Sequence, residues 1–257
     1  MNRIKKTFKE KKNILTIYIT AGYPELDSME KTILRLEKHG VDIIEIGLPF
    51  SDPLADGPVI QQSSKTALQN GMNTDLLFQQ LSTIREKTQI PLLIMCYANS
   101  VLKYGFEKFC SQASRCGIDG LIIPDLPFEM CAEKYLPVSR NYRLEMVFMI
   151  SPDTSESRIR KMDEASDSFL YVLSSNSTTG KRTGFSENQK LYFERIKKMK
   201  LKNPIQIGFG ISDAEAFREA CEYASGAIVG SAFIKSLYEN DKKNDFITSL
   251  RQTPCSI

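Results

Sequence analysis

The sequence predicts a closed α/β barrel of eight parallel strands, the (β/α)8 or TIM barrel. Three observations predict it. Short runs rich in β-branched and other apolar residues occur eight times, at 14–20, 41–46, 91–96, 118–123, 144–150, 169–173, 204–207 and 226–229. The stretches between them carry apolar residues at helical spacing, and strands alternating with helices form βαβ units in a parallel sheet. The length of 257 residues is that of one such barrel, and no linker or low-complexity segment divides it. Residues 1–257 are therefore read as a single barrel domain.

The elements can be followed in order. The first run, ILTIYIT, leads to a helical stretch over 28–39, where Met29, Ile33 and Leu36 share a face. Ser28 stands where a side chain caps a helix start, and Gly40 where a helix ends. In the second run, alternation puts Val41, Ile43, Glu45 and Gly47 on one face and Asp42, Ile44 and Ile46 on the other. Ile44 and Ile46 suit the side that meets helices, so Glu45 points into the barrel. Further on, 106–115 closed by Gly117 and 213–223 repeat the helical pattern.

Composition narrows the function. Hydrophobic residues make up 42% and charged residues 25% of the chain, an ordinary globular balance that needs no staples. The net charge is +3, and the Lys-rich stretches at 5–12, 197–202 and 242–243 read as solvated surface, with no basic and aromatic interleaving typical of nucleic-acid binding. The six cysteines form no CxxC pair and His39 is the only histidine, so zinc ligands are missing and the thiols read as reduced. The apolar run behind the basic N-terminus is too short and too polar for a signal peptide or membrane span. A cytoplasmic location follows.

Chemistry in such a barrel sits at the C-terminal ends of the strands and in the loops after them. A carboxyl buried there among apolar neighbours has a raised pKa and can deliver a proton near neutral pH. Glu45 is such a candidate, against the alternative of a satisfied structural Glu. Asp52 and Asp56 lie in Ser51-Asp52-Pro53 and Asp56-Gly57-Pro58, where each could simply bond nearby amides in a turn. Only their position after the second strand keeps a catalytic role open. After the seventh and eighth strands come Gly208-Phe209-Gly210 and Gly230-Ser231, glycine turns in the loops where barrels most often hold phosphate. The polar stretch 174–184 after the sixth strand reads as a lid or as an ordinary exposed loop.

The run IEIGLPFSDPLADGPVIQ (44–61) resembles the signature of the tryptophan synthase alpha subunit. The resemblance extends to YITAGYP (18–24), Tyr97-Ala98-Asn99, DGLIIPDLP (119–127), Tyr171 with Thr179-Gly180, GFGIS (208–212) and VGSA (229–232). It implies a (β/α)8 lyase that splits indole-3-glycerol phosphate into indole and glyceraldehyde 3-phosphate in tryptophan biosynthesis. It implies Glu45 and Asp56 as the catalytic carboxylates, one protonating the indole ring and the other stabilising charge at the indole N–H. It leaves open which group takes the hydroxyl proton. Tyr18, Tyr97, Tyr171 and Phe209 would line the indole site, Gly180, Gly210, Gly230 and Ser231 would bind the phosphate, and Thr179 would close on Asp56.

The resemblance also implies a cytoplasmic αββα heterotetramer under allosteric control, with no cofactor in this chain and pyridoxal phosphate on the beta subunit. Asp52 and Pro53 would face that partner. Ser175, Ser177, Ser100 and Pro124 depart from the commoner pattern, the first two within the lid. Two alternatives stay beside this reading: an activator of the beta subunit with weakened chemistry, and a free-standing indole-releasing lyase.

Overall fold

The computed structural model describes residues 2–174, 184–237 and 243–251, leaving aside the side chains of 243–245. A first helix, α1 (Arg3–Glu10), precedes β1 (Ile14–Thr20), α2 (Met29–Lys38) and β2 (Ile43–Gly47). Then come α3 (Pro58–Gln69), α4 (Thr74–Leu81), a 3₁₀ turn (Ile84–Glu86), β3 (Leu92–Met95), α5 (Ala98–Tyr104), α6 (Phe106–Arg115) and β4 (Gly120–Ile122). The short α7 (Phe128–Met130) runs through a π turn (Cys131–Tyr135) into α8 (Leu136–Asn141), followed by β5 (Glu145–Ile150), α9 (Glu156–Ala165) and β6 (Leu170–Leu173). Then follow α10 (Glu187–Lys198), β7 (Ile205–Gly208), α11 (Ala214–Tyr223), β8 (Gly226–Val229), α12 (Ser231–Ser236) and α13 (Lys243–Arg251).

All eight strands are parallel and pair in sequence order, with β8 closing on β1. This is the (β/α)8 barrel that the repeating runs predict, and β1, α6 and β8 keep their expected bounds. Ser28 differs from expectation. Its backbone is already helical and its hydroxyl donates backwards to the carbonyls of Tyr23 and Glu25, at 3.0 and 2.8 Å, so it does not cap α2. Asp213, by contrast, does cap α11, accepting from Ala216 N–H at 2.9 Å.

The pairing registers stack the inward side chains in layers of four drawn from alternate strands. From the foot upward, one layer holds Thr16, Leu93, Val147 and Gln206. The next holds Glu45, Ile122, Tyr171 and Ile228, and the one above holds Tyr18, Met95, Met149 and Gly208. The foot is sealed by α1, whose Phe8 ring lies 5.4 Å from that of Phe169. Two buried aspartates fasten it. Asp42 accepts from Leu15 N–H of β1 at 2.9 Å and pairs with Lys11 and Arg251. Asp119 accepts from Leu92 N–H of β3 at 3.0 Å and pairs with Arg3 and Arg85.

Candidate active site

Glu45 lies midway along β2, flanked in register by Tyr18 of β1 and Leu93 of β3. Its neighbours in its own layer are Ile122 and Ile228, with Tyr171 across the barrel. Only 1% of the residue is exposed, and its Oε2 has no hydrogen-bond partner among the described residues. Burial pushes its pKa up to about 8, and the nearby charge of Asp56 adds to the rise. The group is thus a neutral acid at pH 7.

Asp56 comes from the loop after β2. Its N–H closes a turn on Pro53 O at 3.0 Å, and Gln61 from α3 holds its carbonyl at 2.8 Å, so its backbone is fixed on both sides. Its Oδ2 accepts from the Tyr97 hydroxyl at 3.0 Å, and that hydroxyl accepts from Ala55 N–H at 3.1 Å. The Tyr97 ring stacks on Phe50, centroids 5.1 Å apart. Burial raises the Asp56 pKa to about 6, with the Tyr97 hydrogen bond pulling against it. Asp56 is therefore ionised where Glu45 is still protonated. Two carboxyls pushed apart in this way supply an acid and an anion in one site. The Asp52 carboxylate instead accepts from the hydroxyl of its neighbour Ser51 at 2.5 Å, in place of the backbone amide that a turn residue would take.

Tyr18 and Tyr171 are buried, and burial raises both phenols well above their ordinary value. Each ring fits over a glycine of the next strand. A Cβ on Gly47 would lie 2.0 Å from the Tyr18 hydroxyl oxygen, and one on Gly208 would lie 2.2 Å from Cε2 of Tyr171. Phe209 follows at a positive φ of 68°, its ring 6.5 Å from that of Tyr171. Aromatic rings from β1, β6 and the loops after β3 and β7 thus converge on the two carboxyls.

Beside them lies the glycine end. Gly210 has a φ of 79°, and Ser174 from the end of β6 donates to Phe209 O at 2.8 Å, joining the loops after β6 and β7. Gly230 precedes Ser231, the first residue of α12, and a Cβ there would lie 3.6 Å from Tyr18 Cβ. Thr179 and Gly180, with Ser175 and Ser177, lie outside the described residues. Asp52 is exposed, Pro53 is buried, and Leu54 is a large apolar side chain of the loop left 91% exposed. The sequence reading passed over Leu54, Phe50, Gln61 and Ala55, although all four stand inside the 44–61 motif. Pro124 precedes Asp125, which accepts from Ala98 N–H at 2.8 Å and so ties the loop after β4 to the start of α5. Among the described residues no cluster of three His, Cys, Asp or Glu could hold a metal ion.

Comparison with known proteins agrees with this geometry. Residues 4–255 match the family model described as Tryptophan synthase alpha chain. The chain is 54% identical over 244 residues to the tryptophan synthase alpha chain of Christiangramia forsetii, covering 95% of both. It is 56% identical over 240 residues to that of Flavobacterium psychrophilum, covering 93% of this chain and 95% of that one. Among solved structures, tryptophan synthase subunit alpha from Legionella pneumophila superposes with a TM-score of 0.87 at 32% identity over 98% of each chain. A tryptophan synthase structure from M. tuberculosis, in an aminoacrylate-bound form, gives 0.86 at 27% identity over 97% of this chain and 98% of that one. The chain belongs to the tryptophan synthase alpha chain family, the lyases that cleave indole-3-glycerol phosphate in tryptophan biosynthesis.

Proposed function

We propose that Glu45 is the acid of this cleavage and Asp56 the anion that stabilises its charged intermediate. Glu45 gives its proton to C3 of the indole ring, which becomes an electron-poor iminium. The substrate hydroxyl then loses its proton to the carboxylate that Glu45 has become. The bond between C3 and the side chain breaks, its electron pair returns to the ring, and the hydroxyl carbon becomes the aldehyde of glyceraldehyde 3-phosphate. Glu45 ends protonated, as it began. Asp56 accepts a hydrogen bond from the indole N–H, where positive charge builds, an electrostatic contribution. Tyr18, Tyr97, Tyr171 and Phe209 bound the indole. Gly210, Gly230 and Ser231 bind the phosphate, with Gly180 and Thr179 completing the site.

The observation that carries this reading is the Glu45 carboxyl, buried and without a partner at Oε2 among the described residues, with the charge of Asp56 acting on it. A structural carboxylate would have a cation or several N–H groups on it. Alpha chains of this family carry no cofactor, and pyridoxal phosphate belongs to the beta subunit. Assembly into an αββα heterotetramer follows from the same kinship, with the exposed Asp52 and Leu54 offered to the partner and Pro53 buried in the same loop. A cytoplasmic location belongs with this role. Among the described residues, no helix is long and apolar enough to cross a membrane.

The test is indole release from indole-3-glycerol phosphate by the chain alone and with beta subunit, for wild type, Glu45→Gln and Asp56→Asn. Both variants are expected to lose roughly 10²–10⁴-fold in kcat. Undiminished activity of Glu45→Gln overturns the assignment of the acid.

A further inference from the structure

Directly beneath the Glu45 layer lies a polar pair that the proposed reaction does not use. Thr16 of β1 donates its hydroxyl to Oε1 of Gln206 on β7 at 2.9 Å. Both side chains are wholly buried, and the other members of their layer, Leu93 and Val147, are apolar. No described residue accepts from Gln206 Nε2. An amide donor left unpaired in dry surroundings is costly, and an aliphatic side chain would fill the place without that cost. In the adjoining layer Glu45 Oε2 is buried and likewise has no partner among the described residues. A donor and an acceptor are thus stranded in neighbouring layers of one barrel interior.

We propose that Gln206 is a positioning residue for Glu45: held by Thr16, its Nε2 donates through one buried water to Glu45 Oε2 and supports the carboxylate left when the proton departs. Buried waters commonly bridge polar groups that lack other partners. Among the described residues, the titratable groups facing Glu45 are Tyr18 from β1, Asp56 from the loop after β2 and Tyr171 from β6. Leu93 from β3, Ile122 from β4 and Ile228 from β8 bring no charge. Asp56 and burial both favour the protonated acid. Gln206, reaching it from below, is the group that favours the ionised form and so keeps the acid strong enough to release its proton.

The proposal rests on Glu45 being the acid, and the test separates the two. Gln206→Met keeps the length of the side chain and removes the donor, while Thr16→Val releases the anchor of the amide. In Gln206→Met, kcat is expected to fall roughly threefold to tenfold, the worth of one hydrogen bond. The alkaline limb of kcat/KM should move up by roughly half a pH unit to one unit. KM should hold, because Gln206 lies a layer below the substrate. Thr16→Val should shift the limb in the same direction by less, and it carries the test if Gln206→Met fails to fold. An alkaline limb that stays with wild type in the folded variants overturns the role of Gln206. If Glu45→Gln is inactive in that same experiment, the acid assignment survives; if it is active, the acid assignment fails first.

Discussion

Buried carboxylates at the foot of the barrel and toward its rim resemble each other in burial and differ in company. Asp42 and Asp119 each receive a strand N–H and two basic side chains. Among the described residues no cation pairs with Glu45 or Asp56; Asp56 has one tyrosine hydroxyl, and Glu45 Oε2 has no partner. A charge taken out of water is tolerable when it is paired, and otherwise the group holds its proton. The foot therefore spends its carboxylates on fastening α1, α13 and the strand starts. Toward the rim, Glu45 keeps its proton to a higher pH than an ordinary carboxyl does. Under the proposed roles, the carboxyl left without a partner among the described residues is the one that does the chemistry.

The comparison breaks most visibly on exchange of the side chains for their amides. Glu45→Gln should lower kcat by roughly 10²–10⁴-fold while leaving the fold intact, measured as indole released per folded enzyme. Asp119→Asn should do the reverse. It leaves Arg85, largely buried, without its counter-charge and weakens the bond to Leu92 N–H. The cost in unfolding free energy is about 2–4 kcal/mol by denaturant titration, with kcat nearly unchanged. A catalytic collapse in Asp119→Asn without loss of stability would undo the division of labour.

A smaller effect comes from pH. The raised pKa of Glu45 means that the native chain holds a proton which the unfolded chain gives up between about 4.5 and about 8. Stability from this group is present below that window and is lost as pH rises through it. Asp56 acts with the same sign between about 3.8 and about 6. Glu45→Gln should therefore be more stable than wild type at pH 8.5, by a few kcal/mol. The two proteins should converge near pH 4, as read from melting temperatures across the range. The same values predict a bell-shaped kcat/KM, its limbs near about 6 and about 8 and belonging to the coupled pair.

Much of this was legible in the residues. The eight runs fix the barrel, because a buried parallel strand is apolar on both faces. The period-two alternation of 41–47 is enough to point Glu45 inward, as Ile44 and Ile46 must meet helices. Asp56 was not legible in that way. Its neighbours Pro53, Gly57 and Pro58 describe a turn, and the Tyr97 hydroxyl that gives it a role comes from 41 residues away across β3. The space for Tyr18 and Tyr171 was hidden too. Gly47 reads as an inward position of its run and Gly208 as part of a phosphate-binding turn, and only the pairing register shows that each is a strand residue lying under a ring from the strand before. Long-range partners of this kind are set by barrel closure, which leaves no local pattern.

The smallest predicted effect sharpens the comparison at the partner that Asp56 does have. Tyr97→Phe removes the donor to Asp56 and keeps the ring stacked on Phe50. The Ala55 N–H loses its acceptor but lies at an exposed turn, where water replaces it. That hydrogen bond lowers the Asp56 pKa, so its loss lets burial raise the value above about 6. The acid limb of kcat/KM should then move up by roughly half a unit to one unit, with the alkaline limb fixed. Activity at pH 6 should fall several-fold and recover by pH 8. An acid limb that stays in place would mean that it belongs to a group other than Asp56, and the anion at the rim would have to be sought elsewhere.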